Sequence, residues 1–531
     1  MLNYSHNNFY EMISHNAKEY PKQVVIFSDN QKTSNLALKQ KVDKLASFLH
    51  KFGIKKGDTV GLIIANGEEF IVSFLAVTKI GAISVPINTF LKHEEFEHIL
   101  NDCGARLLFS SPSYEKETKK LLYSTKIEAI MWTDAYAHVD GKNIDYHSII
   151  NSKEEFCKEG QEEVNAKIDD LACIIYTSGT TGKPKGAMLS YRNMLSNMVA
   201  AKIAFEFTKK DRFIVYLPMF HSFTLTIMVL LPIYFGCSIV LIRSVFPFSN
   251  ILKQTLLKRV TVFLGVPTIY NALLKAKIPW YFMWFHKIRL FISGSAPLSE
   301  KSLIDFSKKF KRGKLLEGYG LSECSPAVAV NRVEKQKPLS VGIALPSYEI
   351  KIVDDEMVEL PLGEVGEIIV KGDCAMQGYL NRPEATAETL MNGWVRTGDL
   401  GRLDEDSFLF IVDRKKDLII SKGINIYPRE IEEVLYMLDD IGTTAVIGIK
   451  NDIGDEDVIA FIEYKDDAKN PLDEIGVKRY LKKHLANFKI PKHIYFSKEL
   501  PKNATGKVLK RILKEQVAKM DIKHSQENEI F

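Results

Sequence analysis

The chain has 531 residues, 46% of them hydrophobic and 26% charged, a balance that excludes a disordered polymer and fits a soluble globular protein. Its formal charge is +5, from 71 basic and 66 acidic residues, and the lysines are scattered, so nothing resembles the concentrated basic stripe of a nucleic-acid binder. The six cysteines (Cys103, Cys157, Cys173, Cys237, Cys324 and Cys374) form no CxxC pair and no metal-ligand spacing, and read as reduced thiols of a cytoplasmic protein.

The first residues lack a basic stretch followed by an apolar core, so no signal peptide is expected. Leu38, Val42, Leu45, Leu49 and Phe52 share one helix face, and Gly53 supplies a stop. Strand Val60–Ile64, helix Glu68–Lys79, strand Ile83–Ile87, helix His93–Asn101 and strand Leu107–Ser110 continue the pattern. Strands alternating with helices imply crossover units and a largely parallel sheet covered on both faces. From Phe223 to Ile242 no residue is charged, long enough for a membrane span, but Pro232 and Gly236 interrupt it. A buried helix followed by a buried strand is the reading there. The aromatic run Trp280–Phe285 is read as core, the alternative being an exposed membrane-facing or lipid-entry surface. Near Gly398 the texture changes: Leu403 to Phe408 puts a polar turn between apolar flanks, a hairpin pattern, and a smaller α+β pattern follows the charged cluster Asp413–Asp417. The division expected is residues 1–413, a hinge at 414–417, a mobile C-terminal domain over 418–520 and a polar tail over 521–531.

Several segments carry chemistry. Tyr176-Thr177-Ser178-Gly179-Thr180-Thr181-Gly182-Lys183-Pro184-Lys185-Gly186 follows an apolar strand and offers hydroxyls, bare backbone N–H groups and lysines to a polyphosphate. It is not a P-loop: only two residues separate Gly179 from Gly182, and Pro184 stands where the Mg²⁺-binding hydroxyl is required. Further along come Pro218–Phe223 with His221, Gly265-Val266-Pro267-Thr268, Ser293-Gly294-Ser295-Ala296-Pro297-Leu298 and Glu317-Gly318-Tyr319-Gly320-Leu321-Ser322-Glu323. The last are Trp394–Asp399, Asp413–Asp417 continuing through Lys422, Gly423 and Asn425 to Glu432, and Pro501–Arg511 with Lys507.

Taken in this order, the segments resemble those of the adenylate-forming, or AMP-binding, superfamily over about Ala37 to Arg511, in its acyl-CoA synthetase branch and most like the bacterial long-chain fatty-acid–CoA ligases. The resemblance implies an α/β fold, with a large N-terminal region of parallel and mixed sheets flanked by helices and a small mobile α+β C-terminal domain. It implies that Thr177, Ser178, Gly179, Thr180, Thr181, Gly182 and Lys183 hold the ATP phosphates, that Ser295, Ala296, Glu317 and Gly318 contact the ATP or AMP, and that Tyr319 stacks on the adenine. Ser322 would touch the α-phosphate, Asp399 and Arg414 the ribose, and Asn425 the nucleotide. Glu323, with Thr177, would hold Mg²⁺. Lys507 would be the adenylation lysine, His221, Val266 and Gly294 would face the acid, Lys416 would be the pivot, and Lys422 and Gly423 would lie near CoA.

Three positions depart from, or discriminate within, the family. Ser322 replaces the usual threonine but keeps the hydroxyl. Ile420 stands where some relatives have lysine, so no thioester-step role passes to it. Phe223 and Thr224 stand where an amino-acid-activating domain places an aspartate, which disfavours that subclass.

The implied activity is ATP-dependent conversion of a carboxylic acid, a medium- or long-chain fatty acid, to acyl-AMP and pyrophosphate, then acyl transfer to coenzyme A. The partners are therefore fatty acid, ATP and CoA, with no nucleic acid, in the cytoplasm and with peripheral contact at the membrane's inner face as an added expectation. A carboxylate is already ionised near neutrality, so the first step needs charge neutralisation and alignment rather than a base. The rival readings are an acyl-AMP ligase serving a carrier-protein thiol and a non-catalytic acyl- or AMP-sensing protein.

Overall fold

The computed structural model describes residues 2, 4–28, 31–136, 139–153, 166–177, 184–244, 247–296, 298–421, 424–451, 455–502 and 506–518. The helix expected from Leu38 spans Asn35–Phe52, capped by the Ser34 hydroxyl, which accepts from the Ala37 N–H. It ends at Gly53, whose left-handed φ of 101° lets its N–H reach the His50 and Leu49 carbonyls. Leu38, Val42, Leu45 and Leu49 are all buried. Thr59–Ile63, Glu68–Lys79, Ile83–Pro86, His93–Cys103 and Leu107–Ser110 follow in the expected alternation.

These strands build a seven-stranded sheet in the order Asn143–Asp145, Ala129–Trp132, Leu107–Ser110, Thr59–Ile63, Ile83–Pro86, Leu171–Thr177, Lys185–Ser190, with only the last pair antiparallel. A nine-stranded sheet stands against it. Its parallel centre runs Lys314–Gly320, Leu290–Ser293, Val262–Gly265, Arg212–Val215, Ser238–Leu241, Val24–Ser28. The central strands, such as Thr59–Ile63, Leu107–Ser110, Val262–Gly265 and Leu290–Ser293, are buried along their whole length, as expected where both faces of a parallel sheet are covered. One large hydrophobic cluster spans both sheets, and a second fills the outer side of the seven-stranded sheet.

The uncharged stretch from Phe223 winds as a π-helical run, Thr224–Leu230, then α-helix Leu231–Tyr234, then strand Ser238–Leu241, all buried. Among the described residues no helix is long and apolar enough to cross a membrane. The expected hairpin is present, Leu403 pairing with Leu409, inside a five-stranded sheet with Glu349–Val353, Gly366–Lys371 and Leu390–Met391. Beyond the turn Lys415–Asp417 lie the hairpin Ile419–Ser421/Ile424–Ile426 and a three-stranded sheet, Ile441–Lys450, Glu456–Tyr464 and His493–Ser497. Two hydrophobic clusters there draw only on residues after Asp417.

The aromatic run departs from its reading as core. Residues Trp280–Phe285 form a helix with Phe282 buried, but Trp280 is 72%, Tyr281 47%, Trp284 66% and Phe285 63% exposed. Local hydrophobicity draws a segment inward only where other elements leave it a face to cover. Here Phe282 and Met283 take that place, and their neighbours turn out to solvent.

Candidate active site

The parallel strands of both large sheets deliver their carboxyl ends to one cleft of about 1220 Å³, where Pro86, Thr177, Ser293 and Gly320 all stand at such ends. Open α/β sheets bind ligands at this edge because the chain turns there and exposes loops and backbone N–H groups. Gly320 is required by close approach: a Cβ on it would lie 1.9 Å from the Pro326 carbonyl oxygen.

At one end of the cleft Glu323 meets two hydroxyls. Tyr379 donates to Glu323 Oε1 at 2.8 Å, and Thr177 Oγ1 stands 3.4 Å from the same oxygen. Lys185 Nζ lies over the Tyr379 ring at 5.4 Å. Ser322 Oγ is 2.9 Å from Ser222 Oγ. Among the described residues no group of three or more His, Cys, Asp or Glu side chains is gathered that could hold a metal alone. A single carboxylate between hydroxyls suits Mg²⁺ that takes its remaining ligands from phosphates and water.

Deeper in, the Tyr319 hydroxyl donates to Asp399 Oδ2 at 2.6 Å, and Arg414 Nε lies 3.1 Å from Asp399 Oδ1. Burial, and then the Asp399 charge, hold the Tyr319 phenol well above its usual range, so it remains a neutral donor. Lys507 and Lys416 line the cleft beside Arg414. Burial first, then repulsion from Arg414, lowers the Lys507 ammonium to about 8; the same causes lower Lys416. The Lys507 loop is seated by Gly506, at φ 79°, where a Cβ would press to 2.9 Å from Thr268 Oγ1.

His221 is enclosed, and burial lowers its imidazole to about 4. Its Nδ1 accepts the Phe223 N–H at 3.3 Å, so the neutral ring carries its proton on Nε2 and is a donor rather than a base. Phe205, Phe220, Phe223, Ile227, Ile292 and Val330 belong to the apolar part of the lining.

The cleft thus collects Thr177, His221, Gly294, Ser295, Gly318, Tyr319, Ser322, Glu323, Asp399, Arg414, Lys416 and Lys507. It does not collect four others. Asn425 is exposed on its hairpin and stands outside the lining, because the strand Ile424–Ile426 turns only Ile426 inward. Val266 is buried at the start of helix Pro267–Lys275, and Ala296, though adjacent to Ser295, is not part of the wall. Glu317 is buried beneath the wall, its carboxylate facing the Leu298 N–H at 3.4 Å and pushed up by burial to about 7. Ser178, Gly179, Thr180, Thr181, Gly182, Lys183, Lys422 and Gly423 lie outside the described residues.

Sequence reasoning passed over Tyr379, Ser222 and the ion pairs of Glu367 with Arg396 at 2.6 Å and with Lys415 at 3.1 Å. The only local mark of Tyr379 is Gly378 before it, with φ 133° and the Thr386 side chain 2.8 Å from where a Cβ would stand.

Lys507 sets an expected pH dependence. A lysine with a lowered pKa loses its charge as pH rises through that value. The free-enzyme kcat/KM for ATP should be flat below about 8 and fall about tenfold per pH unit above it. Bound triphosphate stabilises the ammonium, so the break in kcat should lie at higher pH. His221 adds no break between pH 5 and 8. A kcat/KM profile flat to pH 10 refutes the assignment.

Fold and cleft together define an adenylate-forming ligase. The AMP-binding enzyme family model matches residues 13–380, and the AMP-binding enzyme C-terminal domain model matches 430–507. A long-chain-fatty-acid–CoA ligase of Salmonella typhimurium is 33% identical, over 95% of this chain and 94% of its own length. A feruloyl-CoA synthase of Amycolatopsis is 32% identical over 89% and 91%. The ATP-bound structure of MatB from Rhodopseudomonas palustris superposes with a TM-score of 0.87 at 30% identity, covering 96% of this chain and 98% of that one; its apo form gives 0.77. The chain belongs to the AMP-binding, adenylate-forming enzyme family. It is an AMP-forming acid–CoA ligase that works through an acyl-adenylate and uses ATP, Mg²⁺ and coenzyme A.

Proposed function

We propose that the acid is a medium- or long-chain fatty acid. The observation that carries this reading is the apolar part of the lining, with Phe205, Phe223, Ile227, Ile292 and Val330, which offers hydrocarbon to hydrocarbon. The similarity to long-chain-fatty-acid–CoA ligases supports it. In this reading the His221 Nε2–H donates to the substrate carboxylate and holds one oxygen in line with the α-phosphorus. That oxygen forms the new O–P bond as the bond to pyrophosphate breaks. Lys507 neutralises the charge developing on the phosphates. Glu323 and Thr177 hold Mg²⁺, which supplies further positive charge when bound. Tyr319 presents its ring to adenine, while Asp399 and Arg414 receive the ribose. A CoA thiol then attacks the anhydride carbonyl and AMP leaves.

We further propose that residues 414–417 are the hinge that exchanges Lys507 for the region near Lys422 between the two steps. Peripheral contact with a lipid surface is a separate expectation, useful to such an enzyme because long-chain acids partition into bilayers.

A panel of straight-chain acids from acetate to oleate, with benzoate and ferulate, tests the substrate. Each buried methylene is worth about 0.8 kcal/mol, so kcat/KM should climb about three- to fourfold per methylene until the cavity is filled. A flat series, or ferulate turning over faster than every fatty acid, overturns the reading.

A further inference from the structure

We propose that the helix Trp280–Phe285 and the basic residues around it form a docking surface for an anionic lipid bilayer. The helix is short, but its two faces are sharply divided. Trp280 and Trp284 share one stripe, four residues apart, and Tyr281 and Phe285 form the next. Trp280, Trp284 and Phe285 are largely exposed and Tyr281 about half, whereas Phe282 is buried and stacks on His286 at 5.5 Å. The Arg312 guanidinium donates to the Trp284 carbonyl and fixes the end of the helix. Large rings held outward by a firmly anchored helix are costly in water. Their flat, amphipathic shape suits the headgroup layer of a membrane.

Charge distinguishes the occupant. Between Arg212 and Ser299 the sequence contains no Asp or Glu at all. Lys275, Lys277 and Lys287 flank the helix in sequence and are exposed. The helix Phe248–Leu257, which packs against the aromatic helix, adds Lys253 and the exposed Leu257. An aromatic centre flanked by exposed lysines complements anionic headgroups. Two copies of this chain meeting face to face would instead set these lysines against their own images. The use of such a surface, collecting acyl chains from the bilayer, rests on the fatty-acid reading; the binding does not.

The test is co-sedimentation of the full chain with vesicles of phosphatidylcholine and of an equimolar phosphatidylcholine–phosphatidylglycerol mixture, without acid, ATP or CoA. Binding to the mixed vesicles is expected to be at least about tenfold tighter, to weaken with added salt, and to shift tryptophan emission to the blue. The Trp280→Ser/Trp284→Ser variant should lose about tenfold or more in affinity, and Lys275→Glu/Lys277→Glu should lose the preference for anionic lipid. Unchanged melting temperatures show that both variants are folded. A variant that melts early is replaced by the single substitution Trp284→Ser. Absence of binding, binding indifferent to both variants, or a dimer that Trp280→Ser/Trp284→Ser turns into a monomer overturns the proposal. Failure of the acid panel with vesicle binding intact would remove the fatty-acid reading alone.

Discussion

Replacing Lys507 with alanine should lower acid-dependent pyrophosphate–ATP exchange by about 10²–10³-fold, the usual cost of removing one preorganised charge from a transition state. Thioester formation from supplied acyl-AMP and CoA should change by less than about threefold, because the phosphates that Lys507 is proposed to serve have then left. The expectation rests on placement. Lys507 lines the cleft with Arg414 and Lys416, and burial together with their repulsion lowers its pKa to about 8. A partly desolvated ammonium near like charges has most to gain from an arriving triphosphate. That gain grows as negative charge develops on the leaving group. Arginine at 507 should restore only part of the rate, since its planar, delocalised fork does not reproduce the compact point charge of an ammonium. Equal loss of both half-reactions in Lys507→Ala, with an unchanged melting temperature, would make the lysine structural.

A proline at position 415 should preserve pyrophosphate exchange and lower thioester formation by about a hundredfold, by holding the proposed hinge in the arrangement seen here. The local geometry decides where the proline belongs. Arg414 is extended, at φ −99° and ψ 135°, the conformation a residue before proline prefers, and Lys415 opens the turn Lys415–Asp417. Proline at 416, the pivot that the resemblance implies, would push Lys415 out of that turn and disturb the state it is meant to hold. Lys415 also pairs with Asp355 at 2.6 Å and with the buried Glu367 at 3.1 Å, so Lys415→Ala is the necessary control. The informative quantity is the proline variant relative to alanine: exchange within about threefold, thioester formation strongly reduced. If Lys415→Pro makes acyl-CoA as fast as Lys415→Ala, residues 414–417 do not carry the motion. The Lys301–Asp439 ion pair and the Gly506–Thr268 contact join the two regions in the present arrangement, and a rotation must break both.

Much of this protein was legible in its sequence because the information lies within short windows. The four-and-three stepping from Leu38 to Phe52 and the stop at Gly53 specify a helix whatever packs on it. Apolar runs between such helices specify buried parallel strands. The resemblance of the segments holding Thr177, Glu323, Asp399, Arg414 and Lys507 to family motifs likewise implied one shared cleft, and the structure brings all five to its wall. Tertiary structure decided what depends on distant neighbours. Tyr379 meets Glu323 only because two segments 56 residues apart cross at the cleft, and no local pattern around either announces the other. Asn425 sits in a segment that resembles a nucleotide contact, yet its hairpin turns it to solvent. Trp280 to Phe285 is the clearest case. Six apolar residues have no polar face to reveal orientation, and burial depends on the area other elements leave uncovered. Once Phe282 and Met283 had filled it, two tryptophans, a tyrosine and a phenylalanine faced outward.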